Sequence, residues 1–110
     1  MSQQLAKMTE EQLGENVREA CAVYGWKFLW LRHLMNSSEG ILDLLLIPLR
    51  HTDRRHTLHR ELKGYDKNGR LGKLTPAQAE TIQALTAAGS DARKWEPADW
   101  FSNQILEELK

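Results

Sequence analysis

Asp43 interrupts an apolar run made of Ile41, Leu42, Leu44, Leu45, Leu46 and Ile47. An ionised carboxylate in such a run is rarely buried unless something compensates its charge. Further along, Glu61 and Lys63 lie two residues apart in "HRELKG", and on a strand that spacing sends both side chains to one face. Neighbouring strands run about 4.8 Å apart, so suitable pairing of the two segments brings two carboxylates and an ammonium together. Carboxylates that close raise one another's pKa unless a cation lies between them. Mg²⁺ is suited to the place, being a hard ion that takes one or two carboxylates together with phosphate and water oxygens. The plainer alternative is a structural ion pair of Asp43 with Lys63 or Arg60.

Two helices are placed to add to this group. Thr9 and Gln12 have the spacing of a capping box, and Leu13, Val17, Ala20, Cys21 and Tyr24 follow at helical intervals up to a stop at Gly25. Glu10 precedes Leu13 and Val17 on the core-facing side of the first turn. Thr75, Pro76 and Gln78 open a second helix that runs through Ile82 and Leu85 to Gly89. Gln78 again shares the side of the apolar residues. Each polar residue also has a local role, since Glu10 favours the helix dipole and Gln78 closes its box.

Between and beyond these helices the pattern predicts strands over 26–33, 41–47, 56–63 and 91–95, and a final helix over 103–109. Trp26, Phe28 and Trp30 fall on one face of the first strand, where core packing is favoured over stacking on bases. "NSSEG" and "RHTDRR" read as turns, and "GYDKNGRLGK" as an exposed loop. Three strands joined by short connections form an antiparallel meander, and a fourth reached through a helix can lie parallel to a neighbour. The expected fold is therefore α/β, a mixed sheet flanked by helices, in a single domain spanning residues 1–110.

Composition narrows the classes. Hydrophobic residues make up 41% and charged residues 27%, which is globular composition. No apolar run is long enough to span a membrane, and the N-terminus lacks a secretory pattern. Cys21 is the only cysteine, which fits a reducing cytoplasm. Formal net charge is zero, yet residues 50–73 hold eight Lys or Arg against three acids. Such a basic middle can hold a polyanion, and Lys67, Arg70 and Lys73 lie in the loop after the Glu61 strand. The cluster "HTDRRHTLH" makes a poor zinc site, because His56 and His59 point to opposite faces of a strand and no cysteine is near.

The ordered set "TEEQL", "GILD", "ELKG", "LTPAQ" and "WEPADW" resembles the virus-type replication-repair nuclease (VRR-NUC) domain, a branch of the PD-(D/E)xK superfamily. The similarity covers about residues 9 to 100. Its most specific part is Glu10, Asp43, Glu61-Leu62-Lys63 and Gln78 in sequence, followed by Trp95, Pro97 and Trp100. The resemblance implies a restriction-endonuclease-like α-β-β-β-α-β core and metal-dependent cleavage of DNA phosphodiesters. It implies that Asp43, Glu61 and the backbone carbonyl of Leu62 hold Mg²⁺, which Mn²⁺ can replace, with Glu10 at the edge of the site. Lys63 would be the catalytic lysine and Gln78 the family's helix glutamine. The family usually has proline before the aspartate, where this chain has Leu42. Small stand-alone members resemble homodimeric resolvases of four-way DNA junctions, so a dimeric junction endonuclease is expected, from a phage or a bacterium. The alternative is a nucleic-acid-binding module that keeps the fold without cutting.

Overall fold

The computed structural model describes residues 7–31, 39–50 and 55–110. Parts of the expected "NSSEG" and "RHTDRR" turns, and the end of the expected 26–33 strand, lie outside the described residues.

Helix α1 (Glu10–Tyr24) starts as its sequence dictates. Thr9 Oγ1 accepts the Gln12 N–H and Gln12 Oε1 accepts the Thr9 N–H, which satisfies two donors that a helix start leaves over. The helix ends where Gly25 turns into the left-handed region at φ 79°, a conformation glycine adopts without steric cost. Strand β1 (Trp26–Trp30) follows at once, then β2 (Leu44–Pro48) and β3 (Leu58–Leu62). Helix α2 (Pro76–Ala87) leads to β4 (Asp91–Trp95). The sheet order is β1-β2-β3-β4, antiparallel except for the parallel pair β3 and β4. This is a mixed four-stranded sheet flanked by helices, and the element order contains the expected α-β-β-β-α-β sequence.

Two short helices close the described chain, α3 (Pro97–Phe101) and α4 (Gln104–Leu109), where one helix over 103–109 was expected. The signal for α3 is local: Pro97 takes the first position and Asp99 accepts the Glu96 N–H at 2.9 Å. Strand β2 begins one residue after Asp43, and β3 is shorter at both ends than 56–63.

One face of the sheet carries the core. Leu13 and Val17 of α1, Leu44 and Leu46 of β2, Leu58 and Leu62 of β3, Trp95 of β4, and Ile105 and Leu109 of α4 are all buried there. Trp26 and Trp30 are also buried, and Trp26 Nε1 donates to the Leu109 carbonyl at 2.8 Å. Both tryptophans therefore serve packing. Helix α2 buries none of its residues completely; Ile82 and Leu85 are half-covered. No helix among the described residues is long and apolar enough to cross a membrane.

Candidate functional site

The β2–β3 ladder pairs Leu46 with Leu58, Leu45 with His59 and Leu44 with Arg60. One step further in the same register, Asp43 stands opposite Glu61, and side chains take over there from the backbone. The Asp43 N–H donates to Glu61 Oε1 at 3.1 Å, and the Leu62 N–H donates to Asp43 Oδ2 at 2.9 Å. Each carboxylate thus accepts a main-chain donor from the other strand's segment. Asp43 stays fixed because its carbonyl accepts the Leu31 N–H at 2.7 Å, and Lys63 because its N–H donates to the Trp95 carbonyl at 2.9 Å.

Glu61 gathers two further donors. Lys63 Nζ lies 3.1 Å from Glu61 Oε2, and Gln78 Nε2 donates to the same oxygen at 3.0 Å. Gln78 also keeps its local role, because its Oε1 accepts the Thr75 N–H at 3.0 Å. Helix capping and site contact are thus made by opposite ends of one amide.

Glu10 arrives from the start of α1. The Tyr65 N–H donates to the Met8 carbonyl at 3.0 Å, and Gly64 lets the chains touch: a Cβ built there would lie 2.1 Å from the Glu10 nitrogen. That approach requires glycine. As a result Glu10, Asp43 and Glu61 offer carboxylate oxygens within 4.8 Å of one another. Among the described residues this is the one group of three or more His, Cys, Asp or Glu side chains with such spacing. His56 instead lies 3.1 Å from Asp91.

Asp43, Glu61 and Lys63 are buried and Glu10 is half-buried, so like charges are held close together away from water. Burial, and then repulsion from Asp43, push the Glu61 carboxyl up to about 7 against the pull of Lys63. A dication at this point would relieve the repulsion, and three carboxylate oxygens are the hard donor set that Mg²⁺ or Mn²⁺ takes. The pairing of Asp43 with Arg60, weighed as an alternative, does not occur. Arg60 points to the opposite face, where it bonds Asp91 and Glu108.

The segment after β3 is a built hairpin rather than a plain loop. Tyr65 bridges Leu71, Asp66 exchanges backbone bonds with Gly69 and Arg70, and Asp66 Oδ1 accepts the N–H groups of Asn68 and Arg70. Lys67, Arg70 and Lys73 are exposed on it. Lys7, which sequence reading missed, lies beside it with its Nζ 3.3 Å from where a Cβ on Gly69 would sit. These four cations have no carboxylate partner among the described residues, whereas Arg18, Lys63, Arg93, Lys94 and Lys110 each have one. Only a tertiary contact could reveal Lys7, since nothing in its neighbourhood along the chain marks it.

No family model, no curated protein and no solved structure matches this chain.

Proposed function

We propose that the chain is a Mg²⁺-dependent endodeoxyribonuclease of the VRR-NUC type that hydrolyses phosphodiester bonds, acts in the cytoplasm and works as a homodimer on four-way DNA junctions. One observation carries the reading: Glu10, Asp43 and Glu61 converge within 4.8 Å while Lys63 and Gln78 both contact Glu61. A structural ion pair needs one acid and one base. Three carboxylate oxygens converging on one point exceed what such a pair uses, and they form the hard donor set that a divalent cation takes.

Asp43 and Glu61 would hold the ion, with the Leu62 carbonyl and Glu10 as further ligands. When bound, Mg²⁺ polarises a phosphoryl oxygen and eases deprotonation of the attacking water. Lys63 supplies a positive charge beside the reacting phosphate, where negative charge grows in the transition state. Gln78 does not titrate; its NH₂ orients Glu61. Lys7, Lys67, Arg70 and Lys73 hold the flanking phosphates without reading sequence. A four-way junction needs two symmetric nicks, and a two-fold homodimer supplies two such sites.

The test is a cleavage assay on four-way junction, flap, duplex and single strand with Mg²⁺, Mn²⁺ or EDTA, run alongside Asp43→Asn. Cleavage of junctions with either metal, lost in EDTA and in the variant, supports the reading. Binding of DNA without cleavage in any metal would make the chain a non-catalytic binding module instead. Sedimentation decides the dimer, and a monomer with no junction preference removes the resolvase assignment. Replacing Lys7, Lys67, Arg70 or Lys73 with alanine should each flatten the dependence of log K on log salt by about 0.9; an unchanged slope removes the hairpin from the DNA contact.

A further inference from the structure

Both long helices open with the same four-residue arrangement, Thr-x-x-Gln, yet only one of them touches the acidic cluster through its glutamine. At α1 the reciprocal bonds are Thr9 N–H to Gln12 Oε1 at 2.9 Å and Gln12 N–H to Thr9 Oγ1 at 3.2 Å. Gln12 is exposed, and its NH₂ has no protein partner among the described residues. At α2 the matching bonds are 3.0 and 3.1 Å, and here the NH₂ donates to Glu61 Oε2 at 3.0 Å.

We propose that Thr75 is a positioning residue of the acidic site, acting through Gln78. A glutamine side chain has three rotatable bonds, and its amide ends are nearly equal in size. Without restraint, either the oxygen or the NH₂ can face a neighbour. An amide oxygen turned toward Glu61 would repel it. The Thr75 N–H holds the oxygen, which leaves the NH₂ as the end that faces Glu61. Thr75 Oγ1 holds the Gln78 N–H and so fixes the first turn from which the side chain departs. Pro76 adds a fixed φ at the first helical position. The chain Thr75, Gln78, Glu61, Asp43 is therefore continuous in hydrogen bonds, from a helix cap to a backbone N–H of the Asp43 segment. Glu61 must keep one orientation among its neighbours to present an oxygen toward Glu10 and Asp43, and the cap sets that orientation from outside the cluster. Thr75 itself touches no carboxylate of the trio.

The metal part of this inference rests on the function proposed above; the structural part does not. The experiment compares Thr75→Ala, Thr75→Ser and Asp99→Ala with the parent chain, using two readouts. The first is exchange of the Gln78 side-chain amide protons, followed by NMR without metal. The second is Mn²⁺ affinity, measured by electron paramagnetic resonance well below the thermal midpoint. Thr75→Ala keeps the backbone N–H but loses the hydroxyl that holds the Gln78 N–H, so the first turn loosens; the Gln78 amide protons should then exchange at least about tenfold faster and Mn²⁺ affinity should fall several-fold. Thr75→Ser, which keeps the hydroxyl, restores both. Asp99→Ala breaks the bond that opens α3, remote from the trio, and lowers the thermal midpoint, yet leaves both readouts at the parent value. Unchanged amide exchange in Thr75→Ala overturns the inference. Equal loss of Mn²⁺ affinity in Asp99→Ala also overturns it, because the Thr75 cap would then act only through general stability. If the parent chain binds no Mn²⁺, the cation reading fails, and the amide readout alone decides whether Thr75 orients Gln78.

Discussion

Arg60 and Glu61 are consecutive residues of β3, both buried, and they face opposite sides of the sheet. On the Arg60 side the charges are matched. The guanidinium bonds Asp91 at 3.0 Å and Glu108 at 2.7 Å, donates to the carbonyls of His59 and Asp91, and lies over the Trp95 ring at 4.9 Å. Trp95 Nε1 and Gln104 Nε2 donate to the same Glu108 carboxylate. On the Glu61 side three carboxylates gather within 4.8 Å of one another, and Lys63 pairs with Glu61. The pKa directions follow. Burial raises Asp91, but Arg60, His56 and Arg93 outweigh it and hold the group below its usual value. Burial and Asp43 push Glu61 up to about 7. The Arg60 network joins β3 and β4 to α4 through opposite charges in contact, whereas the Glu61 side holds like charges close together.

The largest expected effect separates the faces by function. Glu61→Gln or Lys63→Ala should reduce Mg²⁺-dependent cleavage by at least about 10³-fold, roughly 4 kcal/mol of transition-state stabilisation, with the circular dichroism spectrum unchanged. Measurable activity within tenfold of the parent in either variant removes the site.

Stability should separate them in the other direction. Arg60→Leu strands two carboxylates and should cost about 3–5 kcal/mol in denaturant unfolding. Glu61→Gln in metal-free protein removes a repelled charge and should cost little or raise the midpoint. A large loss from Glu61→Gln would show the acidic side to be a structural network like its neighbour.

Gly64→Ala probes the contact that brings Glu10 in. The added methyl meets the α1 backbone and should cost about 1–3 kcal/mol by forcing that turn away. Weaker Mn²⁺ binding should accompany the loss, since Glu10 moves with the turn. Binding equal to that of the parent would exclude Glu10 from the ligand set.

The smallest effect concerns pH. Asp91 has a folded pKa below its unfolded value, so its contribution to stability is present above the usual carboxylate range and disappears as pH falls through the folded pKa. Glu61 has the opposite sign. The metal-free folded state holds its proton more tightly, so stability declines as pH rises from about the ordinary glutamate value toward 7. Thermal midpoints in EDTA should show both slopes. Asp91→Asn flattens the acid limb, Glu61→Gln flattens the neutral one, and saturating Mg²⁺ raises the neutral limb by an amount set by its affinity. A neutral limb that Mg²⁺ does not change would argue against the ion.

Much of this was legible along the chain, because caps and alternation are local. Thr9 with Gln12, Thr75 with Pro76 and Gln78, and Gly25 each fix an element end through bonds spanning a few residues. The two-residue spacing of Glu61 and Lys63 sends both side chains to one face wherever that strand lies, and the order of elements limits the sheet to few topologies. What the sequence alone determined, then, was the elements, their order and the polar residues each one carries. The tertiary structure decided which of these meet. The β2–β3 register sets Asp43 opposite Glu61, and a slip by one residue would send Asp43 to the other face. The contact at Gly64 brings Glu10 from α1, the hairpin turn brings Lys7 beside Arg70's segment, and the side of β3 separates Arg60 from Asp43. Those outcomes depend on packing summed over residues distant in sequence, and no short stretch of chain holds that information.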